Sequence, residues 1–349
     1  MNSLVSPLSQ PPLRRLRIPS AMGRFSVDKD ACDPKATAKP SQGLPSSPVS
    51  PSVIFVFLDG LGLGPADETN PLWLAPMPNL RRLLGGPLIA GPNVDRPGLL
   101  FKAIDALLGV QGLPQSATGQ TALFTGANAA QLLGRHLGAY PSGPLIKVIN
   151  EHNILKRATE RGYLATFANA YTPHYFRLVK EGKCRHSATT LSVLAAGLPF
   201  RTLADLKLGE AVYWDITNRY LVEHLHLAVP IIEPKIAGQR LARLSRNCDL
   251  VLYESFLPDV VGHRKDLEKA LEVLDMLDHF FAGLLEEVGA TATVVMSSDH
   301  GNLEELALGL HSTNPVPLLA VGPGAESFRQ TQAITDVAGG VMRVLESAE

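Results

Sequence analysis

The chain has 349 residues, 45% of them apolar, enough for one large domain or for a domain with a second one inserted. Its 32 basic and 33 acidic residues leave a net charge of −1, so no global electrostatic attraction to nucleic acid or to an anionic membrane surface is expected. Cys32, Cys184 and Cys248 are far apart and form no CxxC pair, and no apolar run reaches bilayer-spanning length. These features disfavour a disulfide framework, a thiolate zinc site and a membrane span, and they suit a reducing, cytoplasmic setting.

Residues 1–50 are rich in Ser and Pro and show no sustained periodicity, the composition of a disordered tail. Before Asp28 they carry Arg14, Arg15, Arg17 and Arg24 and no acid, a weak transit-peptide character; Met22 is an alternative start. Globular sequence begins with the apolar run Val53–Leu58, bounded by Pro51 and by Asp59-Gly60, which reads as a buried parallel strand. Helices are expected at Met77–Leu84, Ala117–Ala130 and Leu145–Arg161, then a strand near Tyr163–Asn169. A helix at Pro234–Arg246, a strand at Leu250–Glu254, a long helix from Lys265 to Val288, strands at Thr291–Ser297 and Leu318–Val321, and a helix at Thr335–Leu345 complete the series. Strands alternating with helices predict an α/β fold with a mostly parallel sheet and helices on both faces. The stretch 172–230 interrupts this rhythm. It is read as a small cap inserted between two parts of an α/β core, 51–171 and 231–349.

Four short polar segments lie at strand ends, where open α/β sheets bind ligands. They are Asp59-Gly60, Asp259-Val-Val-Gly-His263, Ser298-Asp299-His300-Gly301-Asn302, and His311-Ser-Thr-Asn-Pro-Val-Pro317. An Asp-Gly after a strand is ordinarily a turn, and an Asp-His pair is ordinarily a satisfied loop. Four such segments converging on one cleft are another matter. Carboxylate and neutral imidazole form the ligand set of divalent ions such as Mn²⁺ or Zn²⁺, and ions neutralise carboxylates that would be costly to bury unpaired. A fifth segment, Gly112-Leu-Pro-Gln-Ser116-Ala-Thr-Gly119-Gln120, places a hydroxyl at a helix start. Alone it would be an N-cap; beside metal ions Ser116 becomes a candidate nucleophile, with helix N–H groups suited to a phosphate oxygen.

Taken together these motifs resemble the alkaline phosphatase superfamily, and within it the cofactor-independent phosphoglycerate mutase and phosphopentomutase branch. The resemblance spans roughly 53–169 and 246–345. It rests on Asp59-Gly60, on Ser116-x-x-Gly119 with Gly126 ten residues on, on Asp259-x-x-Gly-His263, on Asp299-His300-Gly301-Asn302, and on His311-x-Thr313-Asn314-Pro315-Val316-Pro317. The register makes Ser116, rather than Thr118, the counterpart of the nucleophile. The resemblance implies two divalent ions, Mn or Zn. One would be held by Asp59, Ser116, Asp299 and His300, the other by Asp259, His263 and His311. It further implies in-line attack by Ser116 on phosphorus through a phosphoserine. Two departures stand out. Gln120 occupies a position where the mutases typically carry His, and the cap of about 60 residues is far smaller than that of phosphoglycerate mutase.

The expected activity is hydrolysis of a phosphate ester on a small phosphorylated substrate. Phosphomutase action on a small acid or sugar, and a non-catalytic metal-binding scaffold, are the alternatives. Asn70, Gln120, Lys147, Asn153, Arg177 and Arg264 are candidate substrate contacts by position alone. Tyr213-Trp214 suits stacking on a base or sugar, although core packing is the more ordinary role. The sequence does not set the oligomeric state.

Overall fold

The computed structural model describes residues 51–347; the readings placed on 1–50 lie outside them. Nine strands are present: β1 (Ser52–Leu58), β2 (Val94–Arg96), β3 (Leu99–Ile104), β4 (Ala165–Phe167), β5 (Ala170–Tyr171), β6 (Arg201–Thr202), β7 (Leu250–Ser255), β8 (Ala292–Ser297) and β9 (Val316–Val321). Seven of them form one sheet in the order β2-β3-β9-β8-β1-β7-β4. The strands β4, β7, β1 and β8 are mutually parallel, whereas β9, β3 and β2 join by antiparallel pairing. The expected α/β fold with a mostly parallel sheet is therefore present, with an antiparallel edge.

Because β1 lies at the centre, every one of its residues is buried, and its continuous apolar run is the pattern of a strand covered on both faces. Val53, Phe55 and Phe57 face one helical layer, formed by helices Ser116–Thr125, Gly143–His152, Ile154–Glu160, Ala188–Ala195 and Val337–Glu346. There Phe124 meets Phe57 edge-on at 5.3 Å between ring centroids. Ile54, Val56 and Leu58 face the other layer, chiefly helices Pro234–Leu244 and Leu267–Glu287. No helix among the described residues is long and apolar enough to cross a membrane.

The hairpin β2–β3 has no counterpart in the expected elements. Its register is set by pairing Leu99–Ile104 with Val316–Val321, more than two hundred residues away, which local pattern does not reveal. The segment expected as one helix at Leu145–Arg161 is two. Asn153 (φ −66°, ψ 152°) closes the first and caps the second, accepting from the Lys156 N–H. Similarly, Gly126 in the left-handed region (φ 80°) ends the Ser116 helix, and Asn128 starts a short one at Ala129–Leu133.

Within 172–230 the packing is divided. Ala188 and Val193 are buried in the same cluster as the Ser116 helix. Ala170, Leu206, Ala211, Tyr213 and Leu221 form a small cluster of their own, to which the two-stranded β5–β6 sheet contributes Ala170 of β5.

Candidate metal centre

The polar segments meet at the carboxyl ends of β1, β7 and β8, and backbone hydrogen bonds fasten them together. The Asp259 N–H donates to the Asp59 carbonyl (3.0 Å), and the Leu303 N–H donates to the Gly60 carbonyl (3.0 Å). The Leu61 N–H donates to Ser298 Oγ (3.0 Å). Gly60 turns with φ +74°, and a Cβ there would lie 2.6 Å from Asp259 Cβ, so the Asp-Gly pair meets a conformational and a packing demand at once.

Seven expected site residues come together. Ser116 Oγ lies 3.0 Å from His300 Nε2. That nitrogen lies 3.3 Å from Asp59 Oδ1 and 3.6 Å from Asp299 Oδ2. His311 Nε2 and His263 Nε2 approach Asp259 Oδ1 at 3.5 and 3.4 Å. The His300 and His311 rings are stacked at 3.7 Å. Two triads bring their ligand atoms close enough for one ion each: Asp59, Asp299 and His300; and Asp259, His300 and His311. His300 belongs to both, and His263 borders the second through Asp259. The hydroxyl of Thr118 is occupied elsewhere, donating to the Gln115 carbonyl (3.0 Å) and accepting from the Leu137 N–H (3.2 Å).

The tautomers decide what this cluster is suited to. His263, His300 and His311 each direct Nδ1 at a backbone carbonyl, of Gly309 (3.1 Å), Gly301 (3.3 Å) and Pro114 (2.7 Å) respectively. A carbonyl only accepts, so each Nδ1 carries a proton, and in its neutral form each ring turns a bare Nε2 lone pair toward the carboxylates. Lone pairs facing carboxylate oxygens at 3.3–3.6 Å repel one another unless a cation lies among them. Asp59 Oδ1 and Asp299 Oδ2 are buried and have no hydrogen-bond partner.

Without a metal ion, protons must answer the same electrostatic demand. Burial, together with Asp59, pushes the Asp299 carboxyl well above the usual carboxylate range. Burial opposes charging His300, but Asp299, Asp59 and Asp259 outweigh it and hold its pKa at about 10. Burial likewise opposes ionisation of Asp259, yet the His311 contact, His300 and Asn302 bring its pKa down to about 2. The donor set fits divalent cations, which neutralise the carboxylates and accept the three imidazole lone pairs.

Further residues complete the frame, of which Glu304 was not singled out from sequence. Glu304 is buried and accepts from the Gly62 N–H (3.0 Å), the Asn302 N–H (2.9 Å), Asn314 Nδ2 (3.1 Å) and Ser312 Oγ. Asn302, part of the Asp-His-Gly-Asn motif, donates from Nδ2 to Asp259 Oδ1 (2.7 Å). Gly119 sits where the Ser116 helix crosses the Asp299 loop, and a Cβ there would lie 2.7 Å from the Asp299 carbonyl oxygen. A glutamate two residues beyond a ligand motif was the only sequence signal for Glu304.

Of the expected substrate contacts, Gln120 is at the site, donating from Nε2 to Asp59 Oδ2 (3.1 Å). Asn70 and Asn153 are buried helix caps, whose side chains also donate to the carbonyls of Pro65 and Ile149. Lys147, Arg177 and Arg264 are exposed and do not line the cavity beside Ser116.

A model of the metalloenzyme superfamily matches residues 235–348, the part carrying the Asp259, Asp299 and His311 motifs. Among curated proteins, the 2,3-bisphosphoglycerate-independent phosphoglycerate mutase of Thiobacillus denitrificans is 28% identical over 151 residues, covering 39% of this chain and 29% of that one. The enzyme of the same name from Desulforudis audaxviator is 33% identical over 105 residues, covering 28% and 21%. Residues 235–348 are thus similar to the metalloenzyme superfamily. The chain also resembles cofactor-independent phosphoglycerate mutase, although its matches span less than a third of the length of those two relatives. The PH0037 protein of Pyrococcus horikoshii shares the fold, at a TM-score of 0.52 and 14% identity over 86% of this chain and 99% of that one.

Proposed function

We propose that this chain is a two-metal phosphoryl-transfer enzyme that hydrolyses a phosphate monoester, with Ser116 as nucleophile. The observation that carries this reading is the set of three Nδ1-protonated histidines turning their Nε2 atoms toward Asp59, Asp259 and Asp299, with Ser116 Oγ 3.0 Å from one of them. Asp59, Ser116, Asp299 and His300 would hold one ion, and Asp259, His263 and His311 the other. Bound there, Mn²⁺ or Zn²⁺ supplies Lewis acidity toward phosphoryl oxygens and lowers the pKa of a bound hydroxyl.

The residues do the rest. Gln120 holds Asp59 by its second oxygen, and Asn302 holds Asp259. Ser116 begins a ten-residue helix, whose first N–H groups suit a phosphoryl oxygen. Ser116 Oγ forms a bond to phosphorus as the bond from phosphorus to the ester oxygen breaks, and the alcohol leaves with a proton. Water then cleaves the phosphoserine, releasing inorganic phosphate and restoring the hydroxyl.

The test pairs metal analysis with turnover of a phosphate-ester panel, using Ser116→Ala as control. About two ions per chain and Ser116-dependent phosphate release support the reading; no tightly bound ion after Mn²⁺ or Zn²⁺ is supplied would sink it. A phosphomutase is the second reading, favoured by what the two mutase relatives are named for. It predicts that labelled phosphate stays on the organic substrate and does not appear in water.

A further inference from the structure

A cavity of about 380 Å³ opens directly from Asp59, Ser116 and Gln120 and runs beneath the 172–230 segment. Six aromatic residues contribute to its lining, Tyr140, Tyr171, Tyr175, Tyr213, Trp214 and Phe256. Tyr171 and Tyr175 stand edge to face at 4.8 Å on one side. Trp214 and Phe256 lie tilted at 6.0 Å, and Trp214 is half-buried, packed against the small cluster that contains Tyr213. The tyrosine hydroxyls are turned to partners of their own, Tyr171 to Thr190 Oγ1 (2.7 Å) and Tyr175 to His186 Nδ1 (3.0 Å), which fixes both rings.

Charge is sparse in this cavity. Apart from Asp59 at its mouth, the charged residues lining it are Glu254 and Arg185. Arg185 is exposed, lies over the Tyr140 ring at 5.6 Å and donates to the Pro141 carbonyl. Arg185 is thus the one cation among the lining residues that could meet a second anionic group of a substrate. Glu254, only 3% exposed, is placed by Asn169, which accepts from its N–H (3.0 Å) and donates to its carbonyl (2.8 Å). Its Oε2 accepts from Thr189 Oγ1 (2.5 Å), while Oε1 has no hydrogen-bond partner among the described residues. Burial raises this carboxyl to about 8, so near neutral pH it can either donate or accept.

We infer that the alcohol part of the substrate is a planar aromatic or heteroaromatic group carrying a hydrogen-bonding N–H or O–H, seated between the Tyr171–Tyr175 and Trp214–Phe256 walls with Glu254 as its polar anchor. The inference rests on the phosphatase reading for the phosphate end and goes beyond it for the leaving group. Flat rings gain most from aromatic walls, and one satisfiable polar group in an apolar cavity fixes orientation.

The test compares esters of similar leaving-group basicity, so that binding and not intrinsic reactivity sets the ratio. In the metal-loaded protein, kcat/KM for 4-aminobenzyl phosphate should exceed that for glycerol 2-phosphate by about tenfold or more. Trp214→Ala and Tyr175→Ala should each cut that ratio substantially. Glu254→Leu should reduce the preference for 4-aminobenzyl over plain benzyl phosphate. A second readout needs no turnover: in a Trp73→Phe background the remaining tryptophan is Trp214, and its fluorescence should be quenched saturably by 4-aminobenzyl alcohol. Ser116-dependent hydrolysis with a ratio near one, unmoved by Trp214→Ala, overturns this inference and leaves the phosphatase reading standing. Saturable quenching with no ester turned over upholds the aromatic subsite and overturns the phosphatase reading. Absence of both defeats both.

Discussion

At the scale of single residues, the site is defined by how few polar atoms are left unassigned and where they point. Asp59 Oδ1 and Asp299 Oδ2 lack partners, whereas the supporting residue Glu304 is saturated with four donors. Only a carboxylate, with two oxygens and about four lone-pair sites, serves four donors at once. Glu304→Gln replaces one acceptor oxygen with an NH₂ facing donors. It should destabilise the fold by about 2–3 kcal/mol and weaken metal binding by about 10–100-fold. Denaturant midpoints and metal titration check both, and retention of wild-type affinity would show that Glu304 does not position the ligand loops. The motif residues were readable here because ligand types recur at strand ends. Glu304 was not, since its role depends on four donors gathered from Gly62, Asn302, Ser312 and Asn314 by folding.

At the scale of elements, close approach and capping decide what the motif letters mean. Gly119 lets the Ser116 helix rest on the Asp299 carbonyl, with only 2.7 Å available for a Cβ. Gly119→Ala should therefore push the Ser116 helix off the Asp299 loop, costing about 1–3 kcal/mol and lowering both turnover and metal content. A stable, fully metallated, active Gly119→Ala protein would refute the close-approach account. Asn153 illustrates the opposite case. Its position near the nucleophile segment suggested substrate contact, but folded it is a buried cap between two helices. Asn153→Ala should cost about 1 kcal/mol of stability and leave KM for a turned-over ester unchanged, and a raised KM would return it to the substrate site. A cap and a ligand contact draw on the same side-chain chemistry, so sequence position alone did not distinguish them.

At the scale of the whole molecule, metal, protons and stability are linked. His300 has its folded pKa raised to about 10. In the metal-free protein its stabilising contribution is complete below its unfolded value near 6.5 and is lost as pH rises through about 10. Asp299, whose folded carboxyl is also raised, adds a loss of the same sign as it ionises. The metal-free protein should thus become less heat-stable between about pH 6.5 and 10. Added Mn²⁺ or Zn²⁺ should raise Tm more at the upper end, where fewer protons compete for the ligands. Melts across that range with and without the ion test this, and a metal effect independent of pH would contradict the linkage. The sequence by itself determined the alternation of strands and helices, the buried run of β1, and the acid and histidine motifs that follow strands, because periodicity and ligand chemistry are local properties. Tertiary structure decided the antiparallel edge made by β2, β3 and β9, the sharing of His300 between two candidate ligand triads, and the cavity lined both by Ser116 and by residues of 172–230. Each of these depends on groups brought together from distant parts of the chain, and long-range pairing and packing leave no imprint on short-range pattern.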